Sequence, residues 1–335
     1  MSVPADIGGV LARPGTSSRT GPAAVTGPAA VTGRALRAAA IVLVMTVTSL
    51  ASLSTAGPAG AAPKSAAQVP RTTGHGYWLD GRDGGIFSFG AAQFYGSTGA
   101  LHLQRPVVGI TPTPDRRGYW LVASDGGIFA FGDAGFYGSI PGIGLAPAGS
   151  GLMPSLNRPI VGMVPSSDGG GYFMVASDGG VFAFGDAQFE GSCPGVGGCG
   201  GEGEVVLPDA SGHGYWLVTI NGRVHNFGDA PNYGEPGRKP VLISGAARTP
   251  SGRGYWILYR DGVVFRYGNA ANYGSLAAGA THGYDIATAI FPTAASDGYW
   301  ITTAAGAVYN FGHAPYLGSM AGHRLNGAII SAVGW

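Results

Sequence analysis

Charge is scarce in this chain: Asp, Glu, Lys and Arg make up 11% of its 335 residues, against ~25% in an ordinary soluble domain. The 19 basic and 18 acidic residues leave a net charge of +1, so composition makes no electrostatic case for a nucleic-acid partner, for which a basic face is expected. Cysteine is limited to Cys193 and Cys199. Neither has a nearby third and fourth ligand, which excludes a structural zinc site. The seven histidines are scattered. No His-Glu-x-x-His, Gly-x-Ser-x-Gly or Walker loop occurs, which removes the commonest hydrolase and nucleotide-binding signatures. No motif calls for a cofactor.

What is abundant is glycine, 62 residues. It follows no three-residue period, so the chain is not collagen-like. Glycine is costly inside helices, and long helices are not expected. Hydrophobic residues still reach 45%, enough to build a core rather than a disordered chain. A glycine-rich, aromatic-rich, turn-rich sequence of this kind reads as all-β.

The first seventy residues stand apart. Residues 1–33 are of low complexity, with TGPAAV at 20–25 repeated at 26–31, and are read as disordered or as preceding the true start. Arg34 and Arg37 then precede an apolar run, 38–56, and small residues follow at 59–62. That order describes a secretory signal peptide over 34–61, cut after Ala61. The absence of an Arg-Arg pair favours the general secretory route over the twin-arginine one. A membrane anchor is the alternative, because the run approaches the ~20 residues that span a bilayer; its several Ser and Thr residues weaken that reading. Removing 1–61 leaves 15 basic and 17 acidic residues, a net charge of −2. Residues 62–75 are read as a linker. The expected location is extracellular or cell-surface, with no membrane insertion of the mature chain unless the signal stays uncleaved.

Internal repetition dominates the remainder. GYWLDGRDGGIFSFGAAQFYGS (76–97), GYWLVASDGGIFAFGDAGFYGS (118–139) and GYFMVASDGGVFAFGDAQFEGS (171–192) are near copies, and 214–235, 254–275 and 298–319 are looser ones. Their marker tyrosines are Tyr77, Tyr119, Tyr172, Tyr215, Tyr255 and Tyr299, spaced by 42, 53, 43, 40 and 44 residues. Each unit divides into a strand (GYWL), a tight Asp-Gly-Gly turn, a returning strand (IFAF) and a short third piece (FYGS). An apolar stretch between units, such as 107–114 or 160–167, supplies a fourth strand. Four strands in 40–45 residues is the size of a propeller blade. Both strand faces carry bulk, so both need cover, and blades standing around an axis provide it. The expected fold is a six-bladed propeller of four-stranded antiparallel blades, with the apolar inter-unit strand nearest the axis. The first unit lacks that strand and the chain ends with a spare one, 328–335, which is expected to complete the first blade and close the ring.

The string GYWLVASDGGIFAFGDAGFYGS resembles a repeat found in secreted actinobacterial proteins, similar in kind to kelch and tectonin propeller repeats. The resemblance implies a propeller in an extracellular setting and implies no reaction.

Candidate functional residues follow from position. Asp83, Asp125, Asp178, Asn221 and Asp261 share equivalent turns on one face, and Asp133, Asp186, Asp229, Asn269 and His313 share the turns opposite. Both sets read first as turn formers, because Asp and Asn bond the nearby backbone; Asp125 and Asp178 are kept as candidate binding residues. The regular Tyr and Trp of GYW read as blade packing rather than sugar platforms. Cys193 and Cys199 read as a local disulfide in an exported chain. The connections 140–158 and 193–203 are the longest and adjoin one another, so loop-borne binding is expected there, through Leu145, Leu152, Met153, Leu156 and Asn157. The expected function is a non-catalytic binding or scaffold module for a protein or cell-envelope glycan. Two rival readings make different demands. A glycan-directed hydrolase would need paired carboxylates at the mouth of an axial channel. A β-solenoid wall anchor would repeat at half the observed period.

Overall fold

The computed structural model describes residues 74–335. The expected low-complexity segment, the signal peptide or anchor, and all of the linker up to residue 73 lie outside the described residues. Among the described residues there are eighteen strands: β1 (Gly76–Gly81), β2 (Ile86–Gly90), β3 (Val107–Pro112), β4 (Gly118–Ala123), β5 (Ile128–Gly132), β6 (Ile160–Pro165), β7 (Gly171–Ala176), β8 (Val181–Gly185), β9 (Gly203–Pro208), β10 (Gly214–Thr219), β11 (Val224–Gly228), β12 (Ile243–Arg248), β13 (Gly254–Tyr259), β14 (Val264–Gly268), β15 (Ala287–Pro292), β16 (Gly298–Thr303), β17 (Val308–Gly312) and β18 (Ile329–Gly334). They form six antiparallel sheets of three, the first ordered β18-β1-β2 and the second β3-β4-β5. The inner strands β18, β3, β6, β9, β12 and β15 neighbour one another in that cyclic order around a central channel. The fold is a six-bladed β-propeller, closed where the chain's last strand pairs with its first, Tyr77 opposite Gly334 and Leu79 opposite Ala332.

The blades have three strands, not the four expected. The FYGS piece is not a strand, and its glycine shows why. Its glycine holds φ between +104° and +138° in all six units, from Gly96 to Gly318, a conformation that breaks an extended run. A Cβ on Gly96 would also lie 2.5 Å from Phe131 of the next blade. Side chains replace the missing ladder. Trp120 Nε1 donates to Gly135 O at 2.6 Å within its own blade. Tyr119 Oη donates to Gly96 O at 2.5 Å across the seam to the blade before. The same cross-seam bond joins Tyr172 to Gly138, Tyr215 to Gly191, Tyr255 to Gly234, Tyr299 to Gly274 and, at the closure, Tyr77 to Gly318. Burial pushes the Tyr77, Tyr215 and Tyr299 hydroxyls up to about 12, so they remain donors at any ordinary pH.

The core is accordingly six seams rather than one cluster. In each, the second aromatic of one GYW meets the tyrosine of the next: Trp78 and Tyr119 ring centroids are 5.3 Å apart, Trp216 and Tyr255 5.3 Å, and Trp300 and Tyr77 5.6 Å across the closure. These aromatics are buried packing, as their periodicity suggests.

One seam is incomplete. Phe173 stands where five blades have tryptophan, so that blade lacks the indole bond. Phe173→Trp is expected to stabilise the chain by about 1 kcal/mol, the net worth of one hydrogen bond, raising Tm by roughly 2–4 °C. Thermal denaturation checks this; a lower Tm would show that the seam has no room for the indole.

Candidate functional site

The turns between the outer two strands of each blade and the connections between blades share one face. On that face the acidic residues are tied to their own turns. Asp83 accepts from Gly85 N–H at 3.1 Å, Asp125 from Gly127 at 3.0 Å, Asp178 from Gly180 at 2.9 Å and Asp261 from Val263 at 3.1 Å. Asp125 and Asp178 are half-buried, and the turn takes up part of their accepting capacity.

The long connection after β5 is built around a short 3-10 turn, Pro141–Ile143, closed by left-handed Gly144. The connection after β8 repeats it as Pro194–Val196 closed by Gly197. The two segments, SIPGIG and SCPGVG, are the same device in adjacent blades. The residue before each proline, Ile140 or Cys193, is fully buried and plugs a seam. Ile143 and Val196 stand exposed at the apex.

Beyond Ile143 the loop folds back on itself. Ala146 N–H donates to Pro154 O at 2.9 Å and Leu156 N–H to Ala146 O at 3.0 Å. Leu156 is buried and Leu145 half-buried against Trp120, Ile140 and Ile160. Both are anchors of the loop, which corrects their expected place on its outer surface. The leucine pair brackets the loop, pins it to the core and rigidifies the tip. Leu152 and Met153, the latter 87% exposed, form that tip, and Asn157 is exposed beside it.

Cys193 and Cys199 are disulfide-bonded, with Cα atoms 5.2 Å apart. The sulfurs are buried among Val181, Val206 and Leu217. The bridge therefore acts at the seam, and it holds the Val196 turn from below. Two residues of the next blade secure the same loop: His225 Nε2 lies 2.9 Å from Cys199 O, and Asn221 Nδ2 donates to Gly200 O at 2.9 Å. A groove lined by Gly200, Arg223, Arg238, Lys239 and Leu242 opens beside it. Sequence reasoning missed Ile143 and Val196, although the duplicated Ser-x-Pro-Gly-x-Gly marked them. It also missed Leu101 and Tyr284, exposed on other connections of this face.

The axial channel has a volume of about 550 Å³. Its lining holds one carboxylate, Glu204, near the loop-bearing face. Burial pushes the Glu204 carboxyl up to about 7, against the opposing pull of Arg260 and with a small push from Glu202. Carboxylate pairs occur on the opposite face instead. Thr113 Oγ1 donates to Asp115 at 2.9 Å and Asp133 at 3.2 Å, and Ser211 Oγ to Asp209 at 2.8 Å and Asp229 at 2.7 Å. These bridges brace neighbouring turns, and none of the four carboxylates lines the channel. The two-carboxylate arrangement of a glycosidase is thus not formed there. Among the described residues no cluster of three metal-binding side chains occurs, and no helix is long and apolar enough to cross a membrane.

No protein-family model matches the chain, and no curated relative matches it. Solved structures do. A chain of the crystal structure of a nidogen/laminin complex is 10% identical, with a TM-score of 0.52; the match covers 78% of this chain and 98% of that one. The likeness is one of fold alone. The β-propeller domain of Cps50 (Swd1) from Myceliophthora thermophila is also 10% identical, with a TM-score of 0.42, covering 75% of this chain and 87% of that one. The C-terminal WD40 domain of Sif2 gives the same identity and TM-score over 68% and 75%.

Proposed function

We propose that this propeller is an exported, non-catalytic binding scaffold, and that it engages a protein partner through the sector formed by the loops 140–158 and 193–203. The observation that carries the reading is the row of exposed apolar side chains, Ile143, Leu152, Met153 and Val196, on two adjacent loops that are stiffened from beneath. Apolar anchors on a rigid base lose little conformational entropy on binding, which is what an interface hot spot requires. The similar fold in the nidogen/laminin structure comes from a complex between two proteins. A disulfide is compatible with an oxidising compartment.

Because Leu145 and Leu156 hold a seam, the test uses point substitutions rather than loop deletion. Ile143→Asp, Met153→Asp and Val196→Asp together are expected to weaken retention on envelope proteins by at least about tenfold, with Tm unchanged. Pull-down against purified envelope proteins and, separately, cell-wall glycan reads this out. Retention on glycan alone would move the reading to carbohydrate. Undiminished retention on protein would remove this sector from it.

A further inference from the structure

Positive charge gathers beside the disulfide loop. The connection from the fourth blade to the fifth reads Glu235-Pro236-Gly237-Arg238-Lys239-Pro240. It walls a groove of about 990 Å³ together with Gly200 of the disulfide loop and the turn that carries Arg223. Three cations and one carboxylate line the groove: Arg223, Arg238, Lys239 and Glu235. The carboxylate is already engaged. Glu235 Oε2 accepts from Val224 N–H at 2.8 Å, and Oε1 lies 3.8 Å from Arg223 Nη1. The groove therefore keeps a surplus of positive charge.

The cations are positioned without being neutralised. Arg223 meets Glu235 through one nitrogen, which leaves most of its five donors unused. Its stem lies beside Gly200, where a Cβ would be 3.9 Å from Arg223 Cδ. Lys239 rests its ammonium on aromatic faces, 4.3 Å from the ring centre of Phe265 and 5.6 Å from that of Tyr259. A cation–π contact holds an ammonium in place and leaves its charge intact. Among the described residues neither Arg238 nor Lys239 is in an ion pair. Pro236 and Pro240 bracket the two and fix φ on either side.

The cations come from two separate segments, and Leu242, Pro236 and Pro240 add apolar lining. A compact polyphosphate needs donors that converge on one centre. Carboxylates carried on methylene stems along an extended chain need separate cations and apolar contact, which is what the groove offers.

We propose that this groove binds an acidic, extended segment of the protein partner, its Asp and Glu carboxylates held by Arg223, Arg238 and Lys239. The inference rests on the reading of the adjoining loops as a protein-binding sector and gives that partner its chemistry. The disulfide loop joins the two surfaces, since it carries Val196 at its apex and Gly200 on the groove wall. The partner is thus apolar against the loop tips and anionic alongside them. Complementary charge of this kind steers encounter and sets the register of docking.

Fluorescein-labelled hexaglutamate is the probe, with hexaglutamine and hexalysine as controls, titrated into the full chain at low ionic strength and followed by anisotropy. Hexaglutamate should bind at least about tenfold more tightly than either control and should weaken as salt is raised. Arg238→Glu with Lys239→Glu should cost at least about tenfold and reverse the preference toward hexalysine. Should the double variant lose stability through the Phe265 contact, Arg238→Glu alone decides, because Arg238 is exposed; it should cost at least about threefold. Equal affinity for hexaglutamine, or hexaglutamate binding that survives these variants, overturns the proposal. Tighter binding of tripolyphosphate than of hexaglutamate also overturns it, since the site would then be one for a compact anion. Absent hexaglutamate binding, alongside envelope-protein retention that still depends on Ile143, Met153 and Val196, removes the groove and leaves the apolar sector. Hexaglutamate binding alongside retention indifferent to those three supports the groove and removes the sector.

Discussion

Removal of residues 328–335 is expected to abolish cooperative unfolding altogether. Strand β18 is the inner strand of the first blade, paired with β1 along its length, and its loss leaves β1 with an open edge where the propeller has none. The damage reaches two seams. Ile329 and Ala332 belong to the seam with the last blade, and Trp335 belongs to the seam with the second, its ring 4.8 Å from that of Trp78. Burying large apolar side chains is worth ~1.5–3 kcal/mol each. Losing Ile329, Ile330, Val333 and Trp335 together therefore costs an amount comparable with the whole ~5–15 kcal/mol of a typical domain. Circular dichroism through a urea gradient should show a broad, non-cooperative change for the truncated chain. The peptide 328–335 supplied in trans should restore part of the transition. A sharp transition near the intact midpoint would mean that the last strand is not a latch. Trp335→Ala alone is expected to cost ~3–5 kcal/mol. It removes the Trp78 contact and the ring beneath Arg116 while leaving the β18 ladder in place.

The closure was legible because it is a matter of counting: a repeat that starts one strand late and ends one strand late can be completed only by itself. The inner position of the apolar inter-unit strand was legible for a related reason. Stretches such as VVGI and IVGM are apolar with small residues where backbones crowd, and they line the channel. The fourth strand misled because FYGS has strand composition. What decides its conformation is the packing of the next blade's phenylalanine against Gly96 and its equivalents, a contact between units that no single repeat displays. Leu145 and Leu156 misled in the same way. A leucine in a long connection looks available until the fold brings Ile140 and Ile160 beside it.

Replacing Asp80 with valine is expected to stabilise the protein, although it deletes a charged group. Asp80 sits on β1, on the face that carries Trp78, at the seam with the second blade. The equivalent positions hold Val122, Val175, Val218, Leu258 and Thr302. Asp80 is fully buried, and neither carboxyl oxygen has a hydrogen-bond partner among the described residues. Burial, and to a lesser degree the charge of Asp83, holds its pKa well above the ordinary carboxylate range. The sign follows. The folded chain keeps this proton to higher pH than the unfolded chain does, so stability is fullest below about pH 4 and declines as pH rises toward the folded pKa. Asp80→Val should therefore gain of order 2 kcal/mol at pH 7, about 5 °C in Tm, and less near pH 4, where only the burial of an unbonded polar group is relieved. Asp80→Asn separates the two contributions, since it removes the titration and keeps the polar burial. It should flatten the pH dependence without the full gain. A gain from Asp80→Val that is the same at pH 4 and pH 7 would show that Asp80 is not a buried acid in the folded chain. Thr98 occupies the seat that Ile140, Cys193 and Leu276 fill at other seams, and its hydroxyl is likewise buried without a partner. Thr98→Ile is expected to gain stability for the same reason, and a double-mutant cycle with Asp80→Val measures whether the two sites are coupled or additive.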